Sequence, residues 1–287
     1  MEKIIRNYFL LFFLSIVWGS SFILMKKGLE SFSYTQVAAL RIFIAFISLV
    51  PFIYQSVTSV KKNHIIPIII VGLFGNGLPA FLFAKAQTLL ESSVVGILNS
   101  LVPLFTLLLG AYFFGNQIKK INLYGIILGL LGAVLLIYFT NHPFMIINSY
   151  VFFVIIATIM YAVSVNVIDK YLYSLNPLHI TSLAFLIISP MSFLYIDIND
   201  LLLISSTKTG LESLLYIVIL AVLGTSLAVV IFNQLVIDST ALFASSVTYL
   251  IPIVAIFWGV FDGEIITFIH LLSIFLILSG IYLVNKK

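Results

Sequence analysis

Ten long apolar runs follow one another along this chain, and they constrain its fold more than any other feature of the sequence. A helix needs roughly 20 mainly apolar residues to cross about 30 Å of hydrocarbon. The runs occupy residues 7–25, 34–54, 65–84, 93–113, 122–139, 150–168, 178–196, 214–232, 241–261 and 267–284. Charged residues make up 8% of the 287 positions, whereas a soluble protein carries about 25%. The sequence therefore predicts an all-α integral membrane protein with ten transmembrane helices joined by short loops.

The lysine and arginine residues predict how these spans are oriented, because cytoplasmic loops of membrane proteins are enriched in them. If the N-terminus is cytoplasmic, the inner segments contain nine of them: Lys3, Arg6, Lys61, Lys62, Lys119, Lys120, Lys170, Lys286 and Lys287. The outer loops then contain four: Lys26, Lys27, Lys85 and Lys208. We therefore expect a multi-pass protein of the inner, cytoplasmic membrane with both termini in the cytoplasm. Positive charge distributed in this way predicts a lipid bilayer as partner and no nucleic acid.

The two halves of the chain resemble each other. At separations of 143 or 149 residues the same residue types recur: Ser21 with Ser164, Lys27 with Lys170, Gly75 with Gly224, Pro103 with Pro252 and Gly110 with Gly259. The matched prolines and glycines are the strongest signal, since apolar residues match easily by chance. We therefore expect two five-helix repeats, residues 1–140 and 141–287. An odd number of spans in each repeat inverts the second repeat, an arrangement common in secondary transporters with the substrate site at the repeat interface.

Several short motifs in both halves resemble those of a known transporter family. They are Trp18-Gly19-Ser20-Ser21-Phe22, Lys26-Lys27-Gly28, Arg41-Ile42-Phe43, the stretch from Leu98 to Pro103 followed by Gly115, and Pro252 followed by Gly263-Glu264. In this order they are similar to EamA-type transporters of the drug/metabolite transporter superfamily. The resemblance implies a ten-helix carrier with a central cavity, in a family that moves amino acids, metabolites, nucleotide sugars or drugs, often outward. The sequence departs from the family's Gly-Glu pattern at Gly115-Asn116, so no acidic function is expected there.

Two prolines at repeat-equivalent positions lie near polar residues inside spans. Pro103 deprives the carbonyl of Asn99 of its helical donor, and Pro252 does the same to the carbonyl of Thr248. One interpretation is that the two kinks gate a transport pathway and that Asn99 and Thr248 bind the substrate. The other is that both kinks serve packing, with neighbouring helices satisfying the freed carbonyls.

Further polar and aromatic residues inside spans are candidates for substrate binding. Asn76 lies in a stretch rich in glycine and proline, which predicts a loosened helix beside a cavity. Trp18 and Tyr161 occupy equivalent places in the two halves, well inside their spans, where a ring can stack on a substrate. Asn233 and Tyr249 are weaker candidates, and core packing is the alternative for all five. We expect a cavity between the halves, lined by the first, third, fourth, sixth, eighth and ninth spans.

Arg41 lies inside the second span, where an unpaired charge is costly. We expect it to have a structural role, reaching the outer surface or pairing with an acid such as Glu30, rather than to bind substrate. No Asp or Glu lies in the middle of a span, which argues against proton antiport through a buried carboxylate. Facilitated diffusion and coupling through an edge carboxylate, Glu91 or Asp238, both stay open. A cavity without a central charge suits zwitterionic or neutral amphipathic solutes.

The sequence contains no P-loop, HExxH or GxSxG motif, so we expect neither an ATP-driven pump nor an enzyme. Its four histidines are scattered near span ends, and no metal or cofactor is expected. The leading hypothesis is a secondary transporter that exports a small metabolite, amino acid or amphipathic drug-like solute by alternating access. The alternative hypothesis is a membrane-embedded enzyme or lipid-handling protein. Gly125, Gly129 and Gly132 predict close helix packing within a monomer, with a homodimer seam as the alternative.

Overall fold

The computed structural model describes residues 2–115, 120–140 and 149–285, and within these ranges all regular structure is helical. The α-helices of the first half are α1 (Glu2–Leu29), α2 (Tyr34–Leu49), α3 (Ile53–Ser59), α4 (Ile65–Gly72), α5 (Leu78–Ala86), α6 (Ser92–Asn99), α7 (Val102–Phe114) and α8 (Lys120–Thr140). Those of the second half are α9 (Tyr150–Tyr171), α10 (Pro177–Phe193), α11 (Ile198–Ser205), α12 (Lys208–Ala221), α13 (Ala228–Asp238), α14 (Ala241–Ser245), α15 (Ile251–Phe261) and α16 (Phe268–Asn285).

Among the described residues, seven helical segments are long and apolar enough to cross a membrane, judged by length and composition. An eighth is added if α10 and α11 form one span, although the chain bends by 89° between them. α11 forms in the stretch that the sequence predicts as a small surface loop. α8 and α16 occupy the predicted fifth and tenth spans but are not among the seven. The all-helical architecture is confirmed, and the number of ten spans stays a prediction.

Large apolar side chains cover the outside of this helical assembly. Phe12, Tyr112, Phe257 and Phe275 are examples from four different helices, and all are exposed. Monomeric soluble proteins rarely expose contiguous apolar surface of this kind. The outer surface is therefore suited to contact with hydrocarbon rather than with water.

Two stretches of π-helix interrupt the third and eighth predicted spans. The first π segment, Leu73–Gly77, lies between α4 and α5, and the second π segment, Val222–Leu227, lies between α12 and α13. Their first residues are 149 positions apart, so both halves place the interruption at the same point of the repeat. π-Helical turns inside α-helices are rare and occur frequently at functional sites.

The two π segments also share a hydrogen bond. In the first, Asn76 Nδ2 donates to the carbonyl of Val71 at 3.3 Å. In the second, Thr225 Oγ1 donates to the carbonyl of Leu220 at 2.9 Å. Each bond runs from a side chain to the carbonyl five residues earlier, and the two donors are 149 residues apart. The repeat is therefore preserved in local structure even where the residue type has changed.

The two repeat-equivalent prolines begin helices rather than kink them. α6 ends at Asn99, and after a short tighter turn α7 begins with Pro103 in its first turn. In the second half a 3₁₀ turn, Ser246–Tyr249, follows α14, and Pro252 lies in the first turn of α15. A proline is tolerated there because the first amides of a helix have no intrahelical acceptor. The prediction of an interior kink is wrong: the helix stops and restarts beside Asn99 and Thr248.

α8 and α16 pack against each other along their small residues. A Cβ atom added at Gly280 would lie 2.5 Å from the carbonyl oxygen of Gly125 and 2.5 Å from the amide nitrogen of Gly129. One added at Gly132 would lie 2.9 Å from the carbonyl oxygen of Ser273. Helices approach this closely only where small residues meet. The glycine face predicted from the sequence is used within one chain.

Candidate functional site

A cavity lies between helices of both halves, with about 980 Å³ of unfilled space including the part open to solvent. Its wall comes from the first, third, fourth, sixth, eighth and ninth predicted spans, as expected, and also from the second. Six of the candidate binding residues line it: Trp18, Asn76, Asn99, Tyr161, Asn233 and Thr248. The chain thus brings together side chains that are up to 230 positions apart, from Trp18 to Thr248.

Two aromatic pairs in the cavity wall are exchanged between the halves. Trp18 of the first half packs on Phe232 of the second, with ring centroids 5.0 Å apart. Tyr161 of the second half stacks on Phe83 of the first, with centroids 5.6 Å apart. Trp18 and Tyr161 are 143 residues apart, and Phe83 and Phe232 are 149 apart. The two contacts are therefore equivalent by the repeat: in each, an aromatic residue of one half packs on the matching residue of the other half.

α1, which carries Trp18, and α9, which carries Tyr161, also pack closely against the π segment of the opposite half. A Cβ atom added at Gly224 would lie 2.7 Å from Ser21 Oγ of α1, and one added at Gly75 would overlap Ser164 Oγ of α9. Trp18 strengthens the first junction, since its Nε1 donates to the carbonyl of Gly224 at 3.0 Å. α1 and α9 therefore approach the opposite half as closely as glycine allows, and the cavity lies where the halves meet.

The polar residues of the wall differ in the hydrogen-bonding capacity that they keep for a ligand. Thr248 Oγ1 donates to the carbonyl of Ser245 at 2.9 Å, and Asn233 Nδ2 donates to Thr181 Oγ1 at 3.0 Å. Asn99 is 6% exposed, and its Oδ1 has no hydrogen-bond partner in the part of the chain that the structure describes. A buried polar atom without a partner is costly, so Asn99 gains a hydrogen bond when its side chain turns toward a solute in the cavity.

Tyr249 and the two prolines do not contribute to the cavity wall. Tyr249 follows Thr248 in the 3₁₀ turn, where successive side chains point about 120° apart, and its ring packs against the apolar core. Pro103 and Pro252 lie in the first turns of α7 and α15 and do not reach the cavity. The cavity therefore collects six of the nine candidate site residues, and the other three can act on it only indirectly.

Arg41 of α2 lines the cavity, and within the described residues no Asp or Glu lines it. Its Nε donates to Thr225 Oγ1 in the second π segment at 2.7 Å. Glu30, the partner expected from the sequence, is instead paired with Lys27 at 2.8 Å. The expected pairing with Glu30 is wrong, and so is the expectation of a cavity without a central charge. The available signal was a cation deep in a span with no acid at helical spacing on either side.

Ion pairs hold the C-terminal end of α1 to the loop after α15. Lys26 Nζ lies 2.7 Å from Asp262 Oδ2 and 3.0 Å from Glu264 Oε1, and Lys27 Nζ lies 2.8 Å from Asp262 Oδ1. We call these four residues the Glu264 cluster. This contact was not among the candidate sites. The lysines lie before position 30 and the acids after position 260, and a single sequence does not show that such distant residues meet.

Glu264 is the most buried member of this cluster, with 2% of its side chain exposed. Its carboxylate accepts hydrogen bonds from the backbone amides of Ser92 and Ser93, at 2.9 and 3.1 Å, at the start of α6. Burial alone would raise the pKa of Glu264, but hydrogen bonds from Lys26 and from these amides hold it below its usual value. The pKa of Asp262 is also lowered, because the two lysines outweigh the effect of its burial.

A second ion-pair group holds the N-terminal end of α1. Lys3 Nζ lies 3.4 Å from Asp238 Oδ1, and Arg6 Nη2 lies 2.6 Å from Asp238 Oδ2, at the end of α13. We call these three residues the Asp238 cluster. α1 is therefore tied at both of its ends to elements of the second half, on either side of the cavity that it lines.

The chemistry of the cavity wall suits reversible binding. The wall offers amides, hydroxyls, aromatic rings and one guanidinium group. Among the described residues, no three His, Asp or Glu side chains come together as metal ligands. A largely apolar wall with a few polar groups can hold a small organic molecule.

Long apolar helices, two halves that exchange matching contacts and a cavity between those halves define a membrane transporter. A comparison with protein families agrees, since the model of the EamA-like transporter family matches residues 5–138 and again residues 148–286. The chain belongs to this family, and its two EamA domains imply repeated halves. It is a multi-pass membrane transporter and not an enzyme, so the alternative hypothesis of a membrane-embedded enzyme is wrong.

Curated proteins similar to this chain are also named as transporters. An uncharacterized transporter of Archaeoglobus fulgidus is 25% identical over 272 residues, which cover 94% of this chain and 95% of that protein. A probable amino-acid metabolite efflux pump of Salmonella typhimurium is 23% identical, over 97% of this chain and 94% of that protein. The uncharacterized inner membrane transporter YedA of Escherichia coli K12 is 30% identical over 137 residues, 44% of this chain and 42% of that protein.

A solved crystal structure is similar to this one over nearly its whole length. The two superpose with a TM-score of 0.65 at 15% sequence identity, covering 98% of this chain and 96% of the other. At this identity the likeness shows the fold alone. It supports a common arrangement of helices from one end of the chain to the other.

Proposed function

We propose that this protein is a secondary transporter that exports a small metabolite, an amino acid or an amphipathic drug-like solute across the cytoplasmic membrane. The observation that supports this most strongly is the pair of exchanged contacts around one cavity, Trp18 on Phe232 and Tyr161 on Phe83. Inverted halves that make the same contact in opposite directions can expose one cavity to each side in turn. The relative named as a probable amino-acid metabolite efflux pump supports the outward direction.

We assign each residue that lines the cavity a role in binding from its chemistry. The rings of Trp18 and Tyr161 stack on apolar or aromatic parts of the solute. Four residues provide polar contacts: Asn76, Asn99, Asn233 and Thr248. The Oδ1 of Asn99 is buried without a partner among the described residues, so this side chain gains a bond when it turns toward the solute. Tyr249 acts indirectly, by packing the turn that presents Thr248.

Both termini are proposed to be cytoplasmic, which places the Asp238 cluster at the inner face and the Glu264 cluster at the outer face. The distribution of Lys and Arg supports this orientation. Three of the residues counted, Lys119, Lys286 and Lys287, lie outside the described residues. Because each cluster ties one end of α1 to the second half, the two must loosen alternately as the cavity changes sides.

Pro103 and Pro252 are proposed to maintain the breaks about which the halves bend. Pro103→Ala and Pro252→Ala each supply an amide that can bond the carbonyl of Asn99 or Thr248 and make the helix continuous. We expect each change to slow transport while the amount of folded protein in the membrane stays near normal. Initial uptake rate, normalised to protein quantified by size-exclusion chromatography, measures this.

Pro177→Ala is the matched control for these variants. Pro177 also lies in the first turn of a helix, α10, but follows a loop rather than a break within a span. We expect it to leave uptake unchanged. Loss of folded protein in step with activity would support the packing interpretation, and normal transport by the single and double variants would remove the gating role.

The proposed function is tested with the purified full-length protein in proteoliposomes. Vesicles preloaded with one unlabelled amino acid, L-leucine, L-phenylalanine or L-glutamine, are diluted into its radiolabelled form. We expect saturable counterflow above that of protein-free vesicles for at least one of them or for a wider metabolite panel. Folded, inserted protein that moves no member of the panel would contradict the proposal.

A further inference from the structure

We propose that Arg41 is the anion-binding residue of the cavity and that the transported solute carries a single carboxylate at this point. This inference rests on the proposed function, because it assigns a substrate class to the same cavity. It reverses the structural role expected for Arg41 from the sequence. Three observations support it: the bonding of its guanidinium group, the charge balance of the cavity and the asymmetry of the repeat.

The guanidinium group is held in place but keeps donors free. Its Nε donates to Thr225 Oγ1 at 2.7 Å, and Thr225 in turn donates to the carbonyl of Leu220 at 2.9 Å. No hydrogen bond joins either terminal nitrogen of Arg41 to another described residue. A guanidinium group has five N–H donors in a planar fork that matches a carboxylate. Arg41 is thus oriented by one donor and can offer the others to a ligand.

The charge of Arg41 is not balanced by the described part of the protein. No acid lines the cavity in that part, and every described ion pair of the chain involves a different cation. A charge held away from bulk water inside a membrane span is costly unless a counter-charge joins it. Since the described wall contains one cation, a monoanion such as a carboxylate balances it. A phosphate monoester, with about −1.5 to −2 charges at pH 7, would leave an excess.

Arg41 also stands outside the symmetry of the repeat. The aromatic pairs, the π segments and the serine–glycine contacts all occur in both halves, as described above. Position 184, which corresponds to Arg41 at the separation of 143, is an alanine that is fully buried. The symmetric elements build the scaffold for two orientations, so the unmatched charge of Arg41 is free to determine what is bound.

The test separates binding from transport by using Trp18 as a probe. The chain has two tryptophans, Trp18 in the cavity and Trp258 outside its wall, so Trp258→Phe leaves Trp18 as the reporter. Fluorescence of this variant is titrated with acetate, phenylacetate, L-leucine and L-phenylalanine, with the uncharged acetamide and phenylacetamide, and with phenyl phosphate. Proteoliposome uptake of the same compounds is measured in parallel.

We expect carboxylates to bind and to be transported about tenfold or more better than their carboxamides, the scale of one charge-assisted hydrogen-bond pair. Arg41→Gln should remove this preference while leaving carboxamide binding unchanged, and Arg41→Lys should keep part of it. Thr225→Val, which removes the Nε acceptor but keeps the charge, should retain the preference for carboxylates. Phenyl phosphate should bind more weakly than phenylacetate.

The outcomes distinguish this inference from the proposed function. Transport of panel members without a preference for carboxylates, or an equal loss of both compound classes in Arg41→Gln, would overturn the role of Arg41 alone. Arg41-dependent carboxylate binding without any transport would support the anion site and contradict the transporter proposal. Tighter binding of phenyl phosphate than of phenylacetate would overturn the assignment of a monoanion.

Discussion

Replacing Glu264 by glutamine is expected to lower the free energy of unfolding by about 3 kcal/mol, the low end for breaking a buried ion pair. The carboxylate accepts two backbone amides at the start of α6 and Lys26 Nζ, and only 2% of the side chain is exposed. Glutamine offers one acceptor oxygen where the carboxylate offers two, and it turns an NH₂ group toward one of these donors. The midpoint of thermal denaturation of the purified protein in detergent at pH 7 measures the effect.

Glu30→Gln is the matched control for this change. Glu30 also pairs with a lysine of α1, Lys27, at 2.8 Å, but 57% of its side chain is exposed. Exposed ion pairs contribute about 0–1 kcal/mol, so we expect a small shift of the denaturation midpoint. Equal shifts for the two variants would show that the buried position of Glu264 has no special importance.

The pH dependence of stability follows from the same cluster. The pKa of Glu264 is lower in the folded protein than its ordinary value of 4.5, so its charged form stabilises the fold. That contribution is complete above pH 4.5 and is lost as the pH falls through the folded-state pKa. The denaturation midpoint of the unmodified protein should therefore fall on acidification from this value by more than that of Glu264→Gln. Parallel curves for the two proteins would contradict the assignment.

Replacing Gly280 by valine is expected to separate α16 from α8, with a loss of about 3 kcal/mol or more in stability. Even the Cβ atom would lie 2.5 Å from backbone atoms of Gly125 and Gly129, which cannot turn aside as a side chain can. The two helices must therefore move apart and lose the contacts along their common seam. The yield of monodisperse protein and its denaturation midpoint measure the effect.

Gly129→Ala is the control within the same seam. Among the described residues, a Cβ atom at Gly129 would meet only Leu104 Cδ1, at the ordinary contact distance of 3.7 Å. Alanine also favours a helix over glycine by about 1 kcal/mol in water. We expect this variant to be as stable as the unmodified protein or more so. Normal stability of Gly280→Val would show that α8 and α16 do not pack by this face.

The cavity was predictable from the sequence because polar groups inside membrane spans must face other protein groups or a water-filled cavity. Asn99, Thr248, Trp18 and Tyr161 recur at matched positions of the two halves, and the only shared location for such pairs is the interface between the halves. Asn76 was predictable for a local reason, since a glycine-rich stretch inside a span loosens the helix. That the loosening takes the form of a π segment in both halves was visible only in the structure.

Other parts of the site needed three-dimensional information. The partner expected for Arg41 was wrong because the cost of a lone charge suggested an acid in the protein, and no acid faces it among the described residues. Tyr249 was a candidate because it lies inside an apolar span, but the chain forms a 3₁₀ turn there and the ring packs against the core. The contact of Lys26 with Glu264 joins residues 238 positions apart, beyond what local patterns can indicate.

Cysteine labelling from the two sides of the membrane tests alternating access most directly. The chain contains no cysteine, so Ala80→Cys and Val229→Cys each introduce a single thiol at cavity-wall positions that are 149 residues apart. An impermeant thiol reagent is applied to inside-out and to right-side-out vesicles. Alternating access predicts that both thiols react from both sides and that a transported solute slows the reaction from each. Thiols that react from one side only, with and without solute, would contradict it.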